Sequence, residues 1–270
     1  MKITFIGGGN MARALIGGLL QQGFSPNDLR VVEVNADARA TLMRAFAIKS
    51  FSALCADALQ VDLVLLAVKP QQLKAVAKDL QPLLREQLVL SIAAGARAQD
   101  LSRWLGGYPR VVRAMPNTPA LVRVGVTGLY ALPSVNAQQR GQAQQALEAV
   151  GSCVWLTDEK QMDAVTAVSG SGPAYVFYFI EALEAAAIEL GLDAQQAREL
   201  ALATFLGAAQ LARSSPDDPA TLRAQVTSKG GTTERAIQTL EQTQVKNLIR
   251  EAVRAAARRS QEMGEALGQD

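Results

Sequence analysis

The 270-residue chain contains no histidine. That absence removes the side chain most often used as a neutral-pH general base and as a metal ligand. Ser-His-Asp, Cys-His and His-metal chemistries are therefore excluded, and no metal is expected. Cysteine is scarce too: Cys55 and Cys153 are too few for a structural zinc site and too far apart to suggest a secreted disulfide scaffold, which points to a cytoplasmic protein. No sign of charge dominates, with 27 Lys and Arg against 25 Asp and Glu for a net +2. Because the basic residues are scattered, neither a nucleic acid nor a membrane surface is expected as a partner. Long apolar runs are missing as well. The longest, at residues 63–68, is far below the roughly 18 residues a membrane span needs, and the N-terminus opens on a strand pattern with no basic and apolar leader.

What is present suits a folded protein of about two structural units: 49% apolar and 19% charged residues over this length can bury a core. From residue 2 to about 156, short β-rich runs (KITFI, LRVVEV, DLVLLAV, LVLSIAA, RVVRAM, GVTGLYAL, CVWL) alternate with helical patterns near residues 11–22, 36–45, 71–84, 98–105 and 136–150. That alternation predicts a doubly wound, mostly parallel sheet. After Thr157 strand signals stop, and Ala-rich helix follows, punctuated at Gly191, at 216–219 and at Gly230-Gly231. The reading is an α/β domain over 1–158 followed by an all-α domain over 159–270.

The first long helix of the second half, PAYVFYFIEALEAAAIELG, spreads Tyr175, Phe177, Tyr178, Phe179, Ile180 and Leu183 over several faces. A helix apolar nearly all round must be covered on all sides. Either a second subunit supplies the cover, or this is the central core helix of one monomer; periodicity does not choose between them.

The segment KITFIGGGNMARALIGGLL sets Gly7, Gly9 and Ala12 as G-x-G-x-x-A between the first strand and the first helix. This is the dinucleotide fingerprint of a Rossmann domain in its required setting. Gly7 permits a tight turn, Gly9 lets a pyrophosphate approach the backbone, and small Ala12 lets helix and strand pack closely, with the helix N-terminus facing the phosphates. After the second strand, VVEVNADAR offers Glu33 as an acceptor for the ribose diol of NAD or Asn35 as a donor to a 2′-phosphate. Both stay open, as does a Glu33 that simply faces solvent. Two more strands end in AVKP, with Val68, Lys69 and Pro70, and in SIAAG, with Ala94 and Gly95; both ends should line the nicotinamide half of the cleft. MPNTP, at 115–119, is either a further cleft element or a rigid turn. In VTSKGGTTERAI, the pair Gly230-Gly231 precedes Thr232 and Thr233 at a helix start. Free N–H groups and hydroxyls converge there as a carboxylate would require, although a plain helix cap would look the same.

Taken in order, IGGGNMA, AVKP, SIAAG, MPNTP, SGSGPAY and TSKGGTT make the chain resemble the pyrroline-5-carboxylate reductases from its first strand to its last helices. The resemblance implies a Rossmann domain, a helical dimerisation domain with exchanged helices, dimers often assembled into decamers, and NADPH- or NADH-dependent reduction of 1-pyrroline-5-carboxylate to L-proline. It implies that Glu159, Gly231, Thr232 and Thr233 approach the substrate; the position of Thr233 at the helix start leads us to expect its hydroxyl to hydrogen-bond the ring nitrogen as the catalytic contact. It also implies that Gly7, Gly8, Gly9, Asn10, Met11, Ala12, Asn35, Val68, Lys69, Ala94 and Gly95 line the cofactor cleft. Lys229 departs from the family's usual Pro, Leu54 from a polar contact in some members, and Gln225 from an Asn in some relatives.

Two enzyme rivals lose their catalytic group. A β-hydroxyacid dehydrogenase would need a Lys on the long interdomain helix, yet none lies between Gln161 and Ser228; a short-chain dehydrogenase would need Tyr-x-x-x-Lys, which no Tyr here begins. A non-catalytic dinucleotide sensor remains the alternative from another class.

Overall fold

The computed structural model describes residues 1–269. By compactness the chain forms two units, one comprising Met1–Ser171 together with residues 256–269, the other Gly172–Ala255.

The first unit is built on an eight-stranded sheet in the order β3-β2-β1-β4-β5-β6-β7-β8. Its strands are β1 (Ile3–Ile6), β2 (Leu29–Val32), β3 (Lys49–Phe51), β4 (Leu63–Leu66), β5 (Leu88–Ser91), β6 (Val111–Met115), β7 (Gly125–Ala131) and β8 (Gly151–Trp155). All neighbours run parallel except β6 and β7. Strands β1, β4 and β5 are buried along their whole length, as unbroken apolar runs such as LVLL require when helices cover both faces of a parallel sheet. The helices are α1 (Asn10–Gln21), α2 (Ala36–Phe46), α3 (Pro70–Leu80), α4 (Ala98–Trp104), α5 (Ala137–Glu148) and α6 (Gln161–Val165). Two apolar clusters, one around Phe5, Leu15 and Leu19 and one around Leu66, Leu73 and Leu101, form the core.

Two details differ from the expectation. Strand β3, with the sequence Lys-Ser-Phe, carries no β-branched residue and sits at the sheet edge, so Phe51 alone is too little to mark it as a strand. Helix α3 gives way after Leu80 to a 3₁₀ turn at Gln81–Leu83, because Pro82 removes an N–H donor and cannot continue an α-helix.

After α6, residues Thr166–Gly170, whose last two begin SGSGPAY, wind into a π-helix, a form that concentrates at functional positions. The remaining helices are α7 (Gly172–Glu189), α8 (Ala194–Ser214), α9 (Pro219–Gln225), α10 (Thr232–Gln242) and α11 (Val245–Gly268). Within the second unit α7 packs on α8, yet no residue of α7 is buried. Phe177 is 64% and Tyr178 70% exposed. This removes the reading of α7 as a monomer's central core helix. An apolar groove of about 850 Å³ runs beside it, lined by Tyr175, Phe179, Leu183, Phe205 and Ile249 among others.

Candidate active site

The strand order changes direction at β1, with β2 on one side and β4 on the other, and ligands of such sheets sit at the carboxyl ends of the strands at this switch. A cleft of about 740 Å³ lies there, walled by Gly7, Gly8, Gly9, Val32, Glu33, Val34, Leu54, Val68 and Lys69 among others.

The three glycines have separate reasons. Gly7 takes φ +98°, and a Cβ on it would stand 2.7 Å from the Ala67 carbonyl oxygen, so only glycine fits this turn. A Cβ on Gly8 would stand 2.4 Å from Leu42 and 3.2 Å from the Glu33 carboxylate. A Cβ on Gly9 would meet nothing within 4 Å. Gly9 is also the N-cap of α1, where no side chain caps the helix, so no capping side chain takes up the first-turn N–H groups. A residue free of steric demands from the protein, beside an uncapped helix start, leaves room for a phosphate to approach the backbone. These residues fit the pyrophosphate of a dinucleotide. Ala12 is fully buried at the helix–strand contact.

Glu33 clasps the cleft's edge: its Oε2 accepts the Gly8 N–H and its Oε1 the Asn35 N–H, both at 2.9 Å. Asn35 caps α2, accepting the Ala38 N–H at 2.9 Å. Lys69 is the N-cap residue of α3, with Pro70 at the first helical position. The cleft thus brings Gly7, Gly8, Gly9, Glu33, Val68 and Lys69 together, whereas Asn10, Met11, Ala12, Asn35, Pro70, Ala94 and Gly95 lie outside its lining. Sequence reasoning passed over Val34, Ala53, Gln72 and Val76. Val34, 81% exposed though apolar, directly follows Glu33 and was legible as a neighbour of the ribose position.

The loop of Ala94 and Gly95 is held from above. Gly95 has φ +79°, and its Cβ position lies 3.2 Å from Leu267 and 3.5 Å from Met263 of α11. The Ser260 hydroxyl donates to Asp163 at 2.7 Å, and Arg97 pairs with Glu265 at 3.7 Å.

Glu159 is committed within the first unit. Its Oε1 accepts the Ala98 N–H at 2.6 Å and pairs with Arg113 at 3.0 Å. In the second unit Gly231 is the N-cap of α10 with no side-chain cap. Its own N–H is spent on the Ser228 carbonyl at 3.1 Å, and the Gly230 N–H on the Glu234 carboxylate at 2.8 Å. At this helix start the N–H groups of Thr232 and Thr233 have no backbone acceptor among the described residues, whereas that of Gly231 is taken.

Comparison with known proteins places this architecture. A family model described as pyrroline-5-carboxylate reductase dimerisation matches residues 159–263, and one described as NADP oxidoreductase, coenzyme F420-dependent, matches 2–95. The pyrroline-5-carboxylate reductase of Pseudomonas aeruginosa is 49% identical over 269 residues, covering 99% of this chain and 98% of its own. The chain belongs to the pyrroline-5-carboxylate reductase family. Among solved family structures, that of Coxiella burnetii superposes with a TM-score of 0.93 at 42% identity, covering 97% of this chain and 98% of its own. The Plasmodium falciparum structure, determined with NADP bound, gives 0.86 at 29% identity over 98% of both chains. Membership of this reductase family sets aside the β-hydroxyacid dehydrogenase reading.

Proposed function

We propose that the chain reduces the C=N bond of 1-pyrroline-5-carboxylate with NADPH or NADH to give L-proline, the closing step of proline biosynthesis. We assign the cofactor to 1–158 and assembly and substrate recognition to 159–270. The observation that carries this reading is the Gly7–Gly9 cleft, built to admit a pyrophosphate, in a chain whose relatives over its full length are named for this reaction. A reduced nicotinamide bound in that cleft supplies the hydride. The protein's work is then positional, because the substrate iminium is already protonated near neutral pH and brings its own nitrogen proton. That is how the reaction proceeds without a histidine. The N–H groups of Thr232 and Thr233 hold the substrate carboxylate at the positive end of α10, and the Thr233 hydroxyl hydrogen-bonds the ring nitrogen. Glu159 acts through Ala98 and Arg113 to brace the loop after β5, a positioning role.

The chain works in the cytoplasm as a homodimer or a larger assembly of dimers such as a decamer. The open apolar faces of α7 support a second copy as cover, and no helix among the described residues is long and apolar enough to cross a membrane.

The test is steady-state turnover of pyrroline-5-carboxylate with each reduced cofactor, in the native chain and in Thr233→Ala. The variant should fold and bind dinucleotide normally and lose roughly 10- to 150-fold in kcat/KM, as expected for a hydrogen bond worth about 1.5 to 3 kcal/mol. No turnover by the native chain would leave the dinucleotide-sensor reading in its place. A variant about 1 kcal/mol less stable with unchanged kcat/KM would reduce Thr233 to a helix cap.

A further inference from the structure

We propose, on the reading of this chain as a reductase of the cyclic imine, that the end of α11 positions the cofactor for hydride transfer. Residues 260–268, which belong to the same unit as the sheet, seat the loop of residues 92–97 beside the nicotinamide half of the cleft. Gly264 is the positioning residue on which that seat depends.

Strands β4 and β5 lie on the side of β1 away from β2, so the loop after β5 falls at the nicotinamide end of a dinucleotide seated on Gly7–Gly9. The sheet side of the unit holds the two ends of this loop: the Ile92 N–H donates to the Leu66 carbonyl at 3.2 Å, and the Ala98 N–H to Glu159 at 2.6 Å. Its middle is held by α11. The three heavy atoms nearest to the Cβ position of Gly95 belong to Leu267, Met263 and Gly264, at 3.2, 3.5 and 3.8 Å. With Ala93, Gly95 and Ala96 buried, Ala94 is the part-exposed residue left at the centre of the loop.

The helix is pinned on either side of Gly264. Ser260, Gly264 and Gly268 recur at every fourth position and so share one helix face. The Ser260 hydroxyl donates to Asp163 at 2.7 Å, and the Gly268 carbonyl accepts from Arg103 Nη2 at 2.7 Å. A glycine inside a helix costs stability relative to alanine, yet alanine at 264 is a tight fit. Its Cβ would stand 3.1 Å from the Gly95 carbonyl oxygen and 3.2 Å from Arg97 Nε, so the neighbour must give by a few tenths of an ångström. With the helix fixed above and below the contact, the loop is the part that yields. Such a displacement leaves the Gly7–Gly9 turn untouched and moves the wall beside the nicotinamide, whose reacting carbon must come within roughly 3 to 3.5 Å of the imine carbon.

The test compares Gly264→Ala with Gly141→Ala, the same exchange inside α5, where a Cβ would meet nothing within 4 Å. Each full-length protein is melted, titrated with NADPH and NADH by calorimetry, and assayed with pyrroline-5-carboxylate using cofactor with and without deuterium at the transferred position. Gly264→Ala should fold, bind both cofactors within about twofold of the native chain, and lose about tenfold in kcat, as a misplacement of well under an ångström allows. Its isotope effect on kcat should be no smaller than the native one, because hydride transfer is the step that slows. Gly141→Ala should keep the native kcat. Several results would overturn the proposal: native kcat in folded Gly264→Ala, an equal loss in Gly141→Ala, a loss of cofactor affinity as large as the loss in kcat, or an isotope effect that falls towards one. Should Gly264→Ala not fold, Leu267→Ala, which removes a neighbour of Gly95 without adding an atom, carries the same expectation and the same refutation. The two readings fail separately: a native chain that does not turn over pyrroline-5-carboxylate removes the proposed reaction and the positioning role with it, whereas full kcat in folded Gly264→Ala removes the positioning role alone.

Discussion

Arg113 on β6 and Glu159 before α6 form an ion pair of 3.0 Å, with only 6% and 19% of their side chains exposed. The Glu159 oxygen that pairs with Arg113 also accepts the Ala98 N–H. One carboxylate therefore ties the start of α4, and the loop before it, to the strand beside it in the sheet. Arg113→Met should cost about 3 kcal/mol, the lower end for breaking a buried pair, because Glu159 keeps some water. A double-mutant cycle with Glu159→Gln, followed by denaturant unfolding, should give a coupling of at least about 1 kcal/mol. Strictly additive single variants would mean the pair contributes nothing beyond its separate halves.

Gly7 and Gly9 should separate folding from binding. Gly9→Val places its side chain in open space, so it should cost no more than the roughly 1 kcal/mol expected of a poor N-cap residue while titration detects little or no dinucleotide binding. Gly7→Val meets the Ala67 carbonyl at φ +98° and should cost at least about 1 to 3 kcal/mol from backbone strain alone. Retained affinity in Gly9→Val would move the pyrophosphate away from this turn.

Phe177 tests the cover on α7. It is 64% exposed in a single chain, so Phe177→Glu should leave helicity by circular dichroism unchanged. Burying an unpaired charge between subunits is costly, and sedimentation should accordingly show the variant as monomer at concentrations where the native chain is a dimer. A native chain that sediments as an active monomer would refute the subunit cover outright.

Cys153 gives a pH dependence with a definite sign. Burial, with a smaller contribution from Glu148, raises its thiol pKa from 9.0 to about 11. At pH 8 about one in a thousand Cys153 side chains is thiolate, so peptide mapping should find it modified slowly by thiol reagents. Between about pH 9 and 11 the unfolded chain loses this proton while the folded chain keeps it. Stability should therefore fall as pH rises through that window, and Cys153→Ala should flatten the slope. Rapid labelling of Cys153 in the folded protein would contradict the shift.

Much of the fold was legible because parallel strands buried on both faces leave unbroken apolar runs, and LVLL and LVLS announce β4 and β5 without help from context. The fingerprint glycines were legible for a similar reason: Gly7 answers to a local backbone demand. Other features were not local. The Glu33 clasp depends on the Gly8 N–H, 25 residues away, and could be seen only once β1 and β2 lay side by side. The Arg113–Glu159 pair spans 46 residues, and neither residue sits in a pattern that marks it. The donors at α10 could be counted only after the turn showed Gly231 already bonded to Ser228.

Helix α11 gives the chain an unusual itinerary. Residues 245–255 belong to the helical unit, and from 256 the same uninterrupted helix is part of the nucleotide-binding unit, where Ser260 bonds Asp163 and a Cβ on Gly264 would stand 3.1 Å from the Gly95 carbonyl oxygen, a tight fit. In topological terms the helical unit is an insert in the first, and no single scissile point separates them. A protease nick or a stop codon after residue 171 would not release a finished nucleotide-binding module. It would yield one stripped of its last helical segment, with the Gly95 loop uncovered and Asp163 without its hydroxyl partner.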